Sequence, residues 1–203
     1  MSNIIGFYGS CPADICMYAA CALQNTGRRV CVIDNSDDGV LFRSISASGM
    51  PSVPVTFQNV DFMRLEPVVQ WHELDYEYVF VQLGVCPPQL CLALCSTRIL
   101  VVDCDRRNLD YYNQYMQSNS MPASVLLRGF CLSTGFLEKV QRHFEKGNGF
   151  IDHWLLLPFH QADEACRLEM QFGSLNQSVQ ISSDMQKVLG QLLCMVKRAG
   201  GEA

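Results

Sequence analysis

Residues 3–16 read NIIGFYGSCPADIC, and this stretch decides the fold. The apolar run Ile4–Tyr8 has the length and composition of a buried strand. After a tight turn, Ser10 suits the N-cap of a helix and Pro12 suits its first position. The helical pattern continues for about fifteen residues and closes at Gly27. The stretch therefore predicts a strand, a turn and a long helix, the opening unit of a parallel α/β protein.

Apolar, β-branched runs alternate with helix-period segments along the rest of the chain. The predicted strands are Ile4–Tyr8, Val30–Asp34, Val53–Phe57, Tyr78–Leu83, Arg98–Val102, Ala123–Leu127 and His153–Leu157. Later helices are predicted over Asp61–Leu74, Pro88–Cys95, Asn108–Gln117, Gly135–Phe144 and Asp184–Lys197. This alternation predicts an α/β fold of three αβα layers, with a mostly parallel, twisted sheet of about seven strands and helices on both faces.

Composition narrows the classes of protein that the chain can represent. With 203 residues, 49% of them hydrophobic, we expect a single domain over residues 1–198 and a disordered tail over 199–203. A net charge of -5 argues against a nucleic-acid partner. Eleven cysteines without a secretory leader pattern predict free thiols and a cytoplasmic location. No apolar run has the length of a transmembrane segment, which leaves only peripheral membrane contact open.

The turn after the first predicted strand lacks the residues that bind phosphate. In nucleotide-binding α/β proteins this turn is rich in glycine, its N–H groups surround the phosphates, and a lysine neutralises charge. Here the turn is Gly9-Ser10-Cys11-Pro12, and no Lys or Arg precedes Arg28. Pro12 also removes one N–H donor. The turn therefore has the position of a phosphate-binding loop without its chemistry.

The order of elements, together with specific residues, resembles the MinD/ParA family of P-loop ATPases over nearly the whole chain. The matching segments are the opening strand, GRRVCVID at Gly27–Asp34, YEYVFVQ at Tyr76–Gln82, RILVV at Arg98–Val102, and WLLLPF at Trp154–Phe159 followed by a helix near Gln161. In the family these correspond to the opening strand–helix–strand unit, the Walker B strand, the strand after it, and a late strand–proline unit. The resemblance implies a P-loop NTPase fold.

The same comparison shows where this chain departs from the family. The turn Gly9–Pro12 is about four residues shorter than the family's glycine loop and lacks its two lysines. Gln82 stands where the family has the aspartate that orients magnesium, and an amide has little affinity for that cation. Asp34 is retained, but Ser36 replaces the second acidic residue, and Leu127–Gly129 stands where an asparagine usually reads adenine. Gly9, Ser10, Cys11, Pro12, Asp34 and Gln82 are thus predicted to be positions of a degenerate nucleotide site.

The resemblance implies a pseudo-ATPase that acts through protein contacts. We hypothesise a non-catalytic scaffold or positioning protein, similar to degenerate family members that help localise bacterial cell-surface or pilus assembly machinery. No catalytic residue, metal ligand or cofactor is assigned. The partner would be a second copy in a homodimer, or an active ATPase in a heterodimer. Because the family's dimer interface surrounds the nucleotide, the candidate interface residues are Asp37, Asp38, Gly84, Cys86 and Pro88.

Two alternatives come from different chemistry. The N–H groups of Ser10–Ala13, at a helix start, could still bind a nucleotide or small anion through an atypical loop. Alternatively, Cys86, Cys91, Cys95 and Cys104 could serve a thiol or iron–sulfur protein. The chain has no C-x-x-C pair, so we favour buried free thiols for these cysteines.

Two carboxylates, Asp103 and Asp105, flank Cys104 where a predicted strand ends. Parallel sheets place ligand residues at such strand ends. Asp is also a preferred N-cap residue, and a helix is predicted to follow directly. We therefore predict that this pair caps the next helix.

Overall fold

A computed structural model describes residues 2–45, 54–64, 71, 73–130, 134–145, 151–171 and 181–201. Within these residues the strands are β1 (Asn3–Gly9), β2 (Val30–Asp34), β3 (Val55–Phe57), β4 (Val60–Met63), β5 (Tyr78–Gln82), β6 (Thr97–Asp103), β7 (Ala123–Phe130) and β8 (Ile151–Pro158). The helices are α1 (Ala13–Gln24), α2 (Val40–Ile45), α3 (Gln89–Leu94), α4 (Arg106–Asn119), α5 (Thr134–Glu145), α6 (Gln161–Gln171) and α7 (Ser183–Ala199).

The strands form one sheet in the order β3-β4-β2-β5-β1-β6-β7-β8. Every neighbouring pair is parallel except β3 and β4, which are antiparallel. The predicted α/β class is confirmed, with eight strands in place of about seven. Six of the predicted strands lie where the sequence put them, and the seventh is β3, whose predicted first residue, Val53, lies outside the described residues.

The eighth strand, β4, corrects a predicted helix. The helix expected from Asp61 is wrong at its start, because residues 60–63 form β4 beside β2. Gln58 and Asn59 both have positive φ, at 49° and 63°, which is the geometry of a two-residue hairpin turn. The turn places Val60 and Phe62 in the sheet, where both side chains are buried. Their burial at every second position of a strand outweighs the helical spacing seen in the sequence. Residues 65–70 and 72 of the predicted helix lie outside the described residues.

Helices cover both faces of the sheet, as the predicted three-layer arrangement requires. Alternate residues along β1 point to opposite faces, with Ile5 and Phe7 on one and Ile4 and Tyr8 on the other. The first face packs against α1 and α7, and the second against α3, α4 and α5. Both clusters consist of almost fully buried apolar side chains, so each face contributes a hydrophobic core.

The start of α1 differs from the prediction in one respect. Its N-cap is Pro12, which makes no side-chain capping bond, and Ser10 does not serve as the cap. Ser10 instead donates its backbone N–H to the Val101 carbonyl of β6, at 2.8 Å. The chain leaves α1 through Gly27, whose φ of +84° suits glycine at this turn. Among the described helices, none is both long and apolar enough to cross a membrane.

Candidate functional site

The candidate site lies at the carboxyl ends of the central parallel strands. The chain passes from β1 to β2 on one side of the sheet, and from β6 to β7 and β8 on the other side. The connections therefore diverge near β1, and open α/β sheets bind ligands at such points. The fold brings together the loop Gly9–Pro12, the end of β2 at Asp34, and the end of β5 at Gln82. They border a cleft of about 280 Å³, lined by Gly9, Cys11, Pro12, Ala13, Asp14, Asp38, Val40, Gln82, Gly84, Val85 and Arg167.

Backbone N–H groups of the loop are turned into the protein. The N–H of Gly9 donates to the Gly84 carbonyl at 2.9 Å, and that of Ser10 donates to the Val101 carbonyl. Pro12 has no N–H to offer. A loop that binds phosphate presents consecutive N–H groups to the anion. Here three of the four loop residues cannot do so.

The loop also approaches β6 too closely for any side chain at its first position. Gly9 has φ of +111°, a region that L side chains rarely adopt. A Cβ atom added there would lie 2.1 Å from the Val101 carbonyl oxygen, which is far inside van der Waals contact. The glycine thus serves the close contact between β1 and β6.

The loop carbonyls face a buried arginine at the end of β7. Arg128 Nη2 donates to the carbonyl oxygens of Ser10 at 2.7 Å and Cys11 at 3.1 Å. Its Nη1 donates to both carboxylate oxygens of Asp14, at 3.0 and 3.2 Å, and its Nε donates to Asp103. A single guanidinium therefore ties together the loop, the first turn of α1 and the end of β6.

Charge pairing makes this arrangement stable despite its burial. Arg128 and Asp14 are 5% and 3% exposed. Burial lowers the pKa of Arg128, but the attraction of the Asp14 and Asp103 carboxylates outweighs it, so the pKa lies above its ordinary value. From the sequence, Arg128 was only a mismatch at the adenine-reading position, and its role was missed. A charged residue at the end of an otherwise apolar strand was the available signal.

Asp34, which the sequence assigned to the degenerate site, is used within its own loop. Its Oδ1 accepts hydrogen bonds from the backbone N–H, at 3.1 Å, and the hydroxyl of Ser36. Its Oδ2 accepts from the backbone N–H of Phe42 in α2, at 2.8 Å. Both oxygens are thereby occupied, and the side chain is 2% exposed. The carboxylate holds the β2–α2 connection in place.

Gln82 is the other site residue that lies deep in the fold. It is the last residue of β5 and is paired in register with Phe7 and Asp34. Its side chain is 3% exposed and lines the cleft. The Oε1 atom has no hydrogen-bond partner within the described residues.

The remaining candidate interface residues lie near the surface around the cleft. Asp37, Asp38, Cys86 and Pro88 are exposed, and Gly84 is half-buried. The Sγ atom of Cys86 lies 3.1 Å from the hydroxyl of Tyr111 on α4. Exposed apolar side chains adjoin these residues at Val85 and Leu90, which are 55% and 67% exposed.

The pair flanking Cys104 divides into two roles. Asp105 is the N-cap of α4 and accepts from the N–H groups of Arg107 and Asn108, at 2.9 and 3.0 Å, as predicted. The same prediction is wrong for Asp103, whose carboxylate accepts from Arg128.

The cysteines of the thiol alternative do not form one cluster. Cys91 and Cys95 are buried, whereas Cys86 is exposed and Cys104 is partly buried. Burial raises the pKa of Cys95 to about 12, which holds it as a neutral thiol. In the described part of the chain, no group of three or more His, Cys, Asp or Glu side chains is placed to hold a metal ion.

Comparison with known proteins identifies the fold. No protein-family model and no curated protein sequence matches the chain. Among solved structures, a ParA family ATPase from Chlorobium tepidum has a TM-score of 0.68 at 13% identity, covering 96% of this chain and 99% of its own. MinD in the MinC:MinD cell division complex of Aquifex aeolicus has a TM-score of 0.66 at 11% identity, covering 100% and 97%. Cyanothece McdA in complex with ATP has a TM-score of 0.61 at 12% identity, covering 100% and 97%.

These similarities define an α/β protein with the P-loop NTPase fold of the ParA and MinD ATPases. The match runs along essentially the full length of both chains. The fold implied by the resemblance to the MinD/ParA family is therefore confirmed. At 11 to 13% identity the likeness concerns the fold, and the chemistry of the site has to be argued from its own residues.

Proposed function

We propose that this protein is a non-catalytic pseudo-ATPase with the ParA/MinD fold, which acts as a scaffold or positioning protein through protein contacts. One observation carries the proposal: Arg128 binds the carbonyl oxygens of the loop that holds phosphate in P-loop proteins. Since the peptide carbonyls of Ser10 and Cys11 face this internal cation, the loop is held by the protein itself. This supports a loop that serves the protein's own structure, and we expect it to bind no ATP.

The charges around the cleft support the same conclusion. Arg167 is the one cation among the described cleft residues, and it is paired with Glu164, whose Oε2 accepts from its Nε at 2.9 Å. Asp14 is paired with Arg128, and Asp38 adds an exposed negative charge. A triphosphate would meet more negative than free positive charge, which opposes its binding.

Nucleotide titration tests the proposal directly. Isothermal titration of the protein with ATP and ADP, with and without magnesium, is expected to show no binding at micromolar concentrations. Phosphate release assayed alongside is expected to equal the buffer blank. A ParA family ATPase titrated under the same conditions serves as the positive control. Micromolar binding of ATP would contradict the pseudo-ATPase, whatever the rate of hydrolysis.

The protein contact is proposed to involve the surface around the cleft. This contact surface comprises Asp37, Asp38, Gly84, Cys86 and Pro88, together with Val85 and Leu90 beside them. Val85 and Leu90 support the proposal because both are large apolar side chains left exposed in the segment that follows β5. The partner is a second copy of the chain or an active ATPase of the same fold. We place its function in the cytoplasm, in the positioning of bacterial cell-surface or pilus machinery.

A charge substitution tests the contact surface. For a homodimer, Val85→Glu is expected to weaken association at least about tenfold in sedimentation equilibrium, because it places a charge in the interface. Phe136→Glu on α5, at a side chain that is 39% exposed, is the matched control and is expected to leave association unchanged. A wild-type protein that stays monomeric at high concentration would rule out the homodimer, and co-purification with an active ATPase would then test the heterodimer.

A further inference from the structure

A groove lies at the amino ends of β6, β7 and β8, at the opposite end of the sheet from the candidate cleft. Its floor is formed at residues 96–98, 124 and 152–155, and one wall is α7. The groove measures about 950 Å³, which is at the upper end of the range for small-molecule sites. Among the described residues, none lines both this groove and the cleft, so the two are separate sites.

Gly190 leaves the α7 wall of this groove open. It lies inside a 17-residue helix, where glycine is less favourable than alanine. A Cβ atom at this position would meet no atom within 4 Å, so packing within the protein does not require a glycine here. Because Gly190 lines the groove, its missing side chain leaves room for a ligand against the helix.

The groove also carries two arginines, Arg98 and Arg198, that have no carboxylate within ion-pair distance among the described residues. Arg98 on β6 donates its Nε to the Leu92 carbonyl oxygen at 2.7 Å and its Nη1 to that of Pro122 at 3.4 Å. Pro122 lines the groove as well, so the Arg98 guanidinium lies beside it. Arg198, in the last turn of α7, is exposed. Carbonyl oxygens carry only partial charge, so both positive charges remain uncompensated.

Hydrogen bonds place both arginines at the β6 side of the groove. Asn3 Nδ2 donates to the Val196 carbonyl oxygen at 3.0 Å, and Asn3 Oδ1 accepts from the Ser96 hydroxyl. The last turn of α7 therefore lies beside the start of β6. The one carboxylate among the described lining residues, that of Asp152, belongs to β8, which is two strands and thus about 10 Å away from β6. The β6 side is locally positive in a chain whose net charge is -5.

We propose that this groove binds a small organic anion, with the charged group at Arg98 and Arg198 and an apolar body along α7. Pro122 and Met195 support this class of ligand, because they offer apolar contact beside the two cations, and Gly190 leaves the space. A carboxylate, sulfonate or phosphate group on an aromatic or aliphatic body meets these requirements. The proposal does not depend on the pseudo-ATPase, since the groove and the cleft are at opposite ends of the sheet.

The probe is 8-anilinonaphthalene-1-sulfonate, an aromatic body with one anionic group. Titration into the uniformly 15N-labelled full chain, followed by 1H–15N correlation spectra, is expected to shift the backbone resonances of Ser124, Gly190 and Gln191. N-phenyl-1-naphthylamine has the same rings without the sulfonate. It is expected to bind about tenfold more weakly, because it makes no charge-assisted hydrogen bond to the arginines.

Three variants test the residues of the groove. Arg198→Met is expected to weaken binding of the sulfonate dye about fivefold and to leave binding of the uncharged dye unchanged. Lys187→Met is the matched control, because it removes the same charge from α7 at a residue outside the groove, and it is expected to change neither affinity. Gly190→Leu is expected to exclude both dyes and to keep the fold, since leucine favours helices and its Cβ has room.

Three results would overturn the anion site. The first is an absence of shifts at the groove residues at the solubility limit of the dye, or shifts confined to Val85 and Leu90 of the contact surface. The second is equal affinity of the wild type for the two dyes. The third is an unchanged affinity of Arg198→Met for the sulfonate dye. If Gly190→Leu fails to fold, as judged by circular dichroism, the dye pair and the exposed Arg198 still decide.

Discussion

Replacing Arg128 by methionine is expected to lower the free energy of unfolding by about 3–5 kcal/mol, because it leaves a buried carboxylate without its partner. The Asp14 side chain, only 3% exposed, would lose two hydrogen bonds and its counter-charge. The carbonyls of Ser10 and Cys11 would lose theirs as well. Urea unfolding followed by circular dichroism measures the loss.

Arg142→Met provides the matched control for this prediction. Arg142 also pairs with a carboxylate, that of Glu138 one helical turn away at 2.9 Å, but both side chains are 64% exposed. Its replacement is expected to cost less than about 0.5 kcal/mol. The double variant Asp14→Ala and Arg128→Met should cost less than the sum of the two single changes, since it leaves no lone buried charge. A loss at Arg128 no greater than at Arg142 would show that the buried network contributes nothing.

Replacing Gly9 by alanine is expected to cost about 3 kcal/mol of stability, because positive φ and a steric overlap act together. The added Cβ would lie 2.1 Å from the Val101 carbonyl oxygen, and that carbonyl belongs to the central strand β6. Neither backbone can move away without breaking the hydrogen bond from Ser10 to Val101. Thermal and urea unfolding both measure the change.

Gly129 separates the two causes at Gly9. It also has positive φ, at +74°, but a Cβ there would meet no atom within 4 Å. Gly129→Ala is therefore expected to cost only about 1 kcal/mol, the penalty of the backbone conformation alone. If both substitutions have the same cost, the close approach of β1 to β6 does not limit the residue at Gly9.

Most of the fold could be predicted because buried strands are recognisable in the sequence as short apolar runs. The apolar runs of β1, β2 and β5 to β8 were visible individually, and their alternation with helices predicted a parallel sheet. The strand β4 was missed because the turn before it, Gln58–Asn59, adopts positive φ without a glycine to announce it. A short strand of four residues then looked like the first turn of a helix.

The position of the candidate residues in the fold was predictable, but their interactions were not. The sequence located the loop at Gly9–Pro12 and the ends of β2 and β5, since strand ends of a parallel sheet meet at one edge. The role of Arg128 could not be predicted, because its partners Asp14 and Asp103 are 114 and 25 residues away along the chain. Only the folded sheet brings these charges together.

The buried arginine also affects how the proposed loss of phosphate binding could be reversed, because it opposes reversal in single evolutionary steps. A lysine introduced at Ser10 would add a second positive charge to a loop residue whose carbonyl already accepts from the Arg128 guanidinium at 2.7 Å. Removing Arg128 first would strand the carboxylate of Asp14. Each single change is expected to give a less stable protein, so acquiring ATP binding in this loop would require coordinated changes in the loop and in β7. The buried Arg128–Asp14 salt bridge thus opposes each single step of such a change.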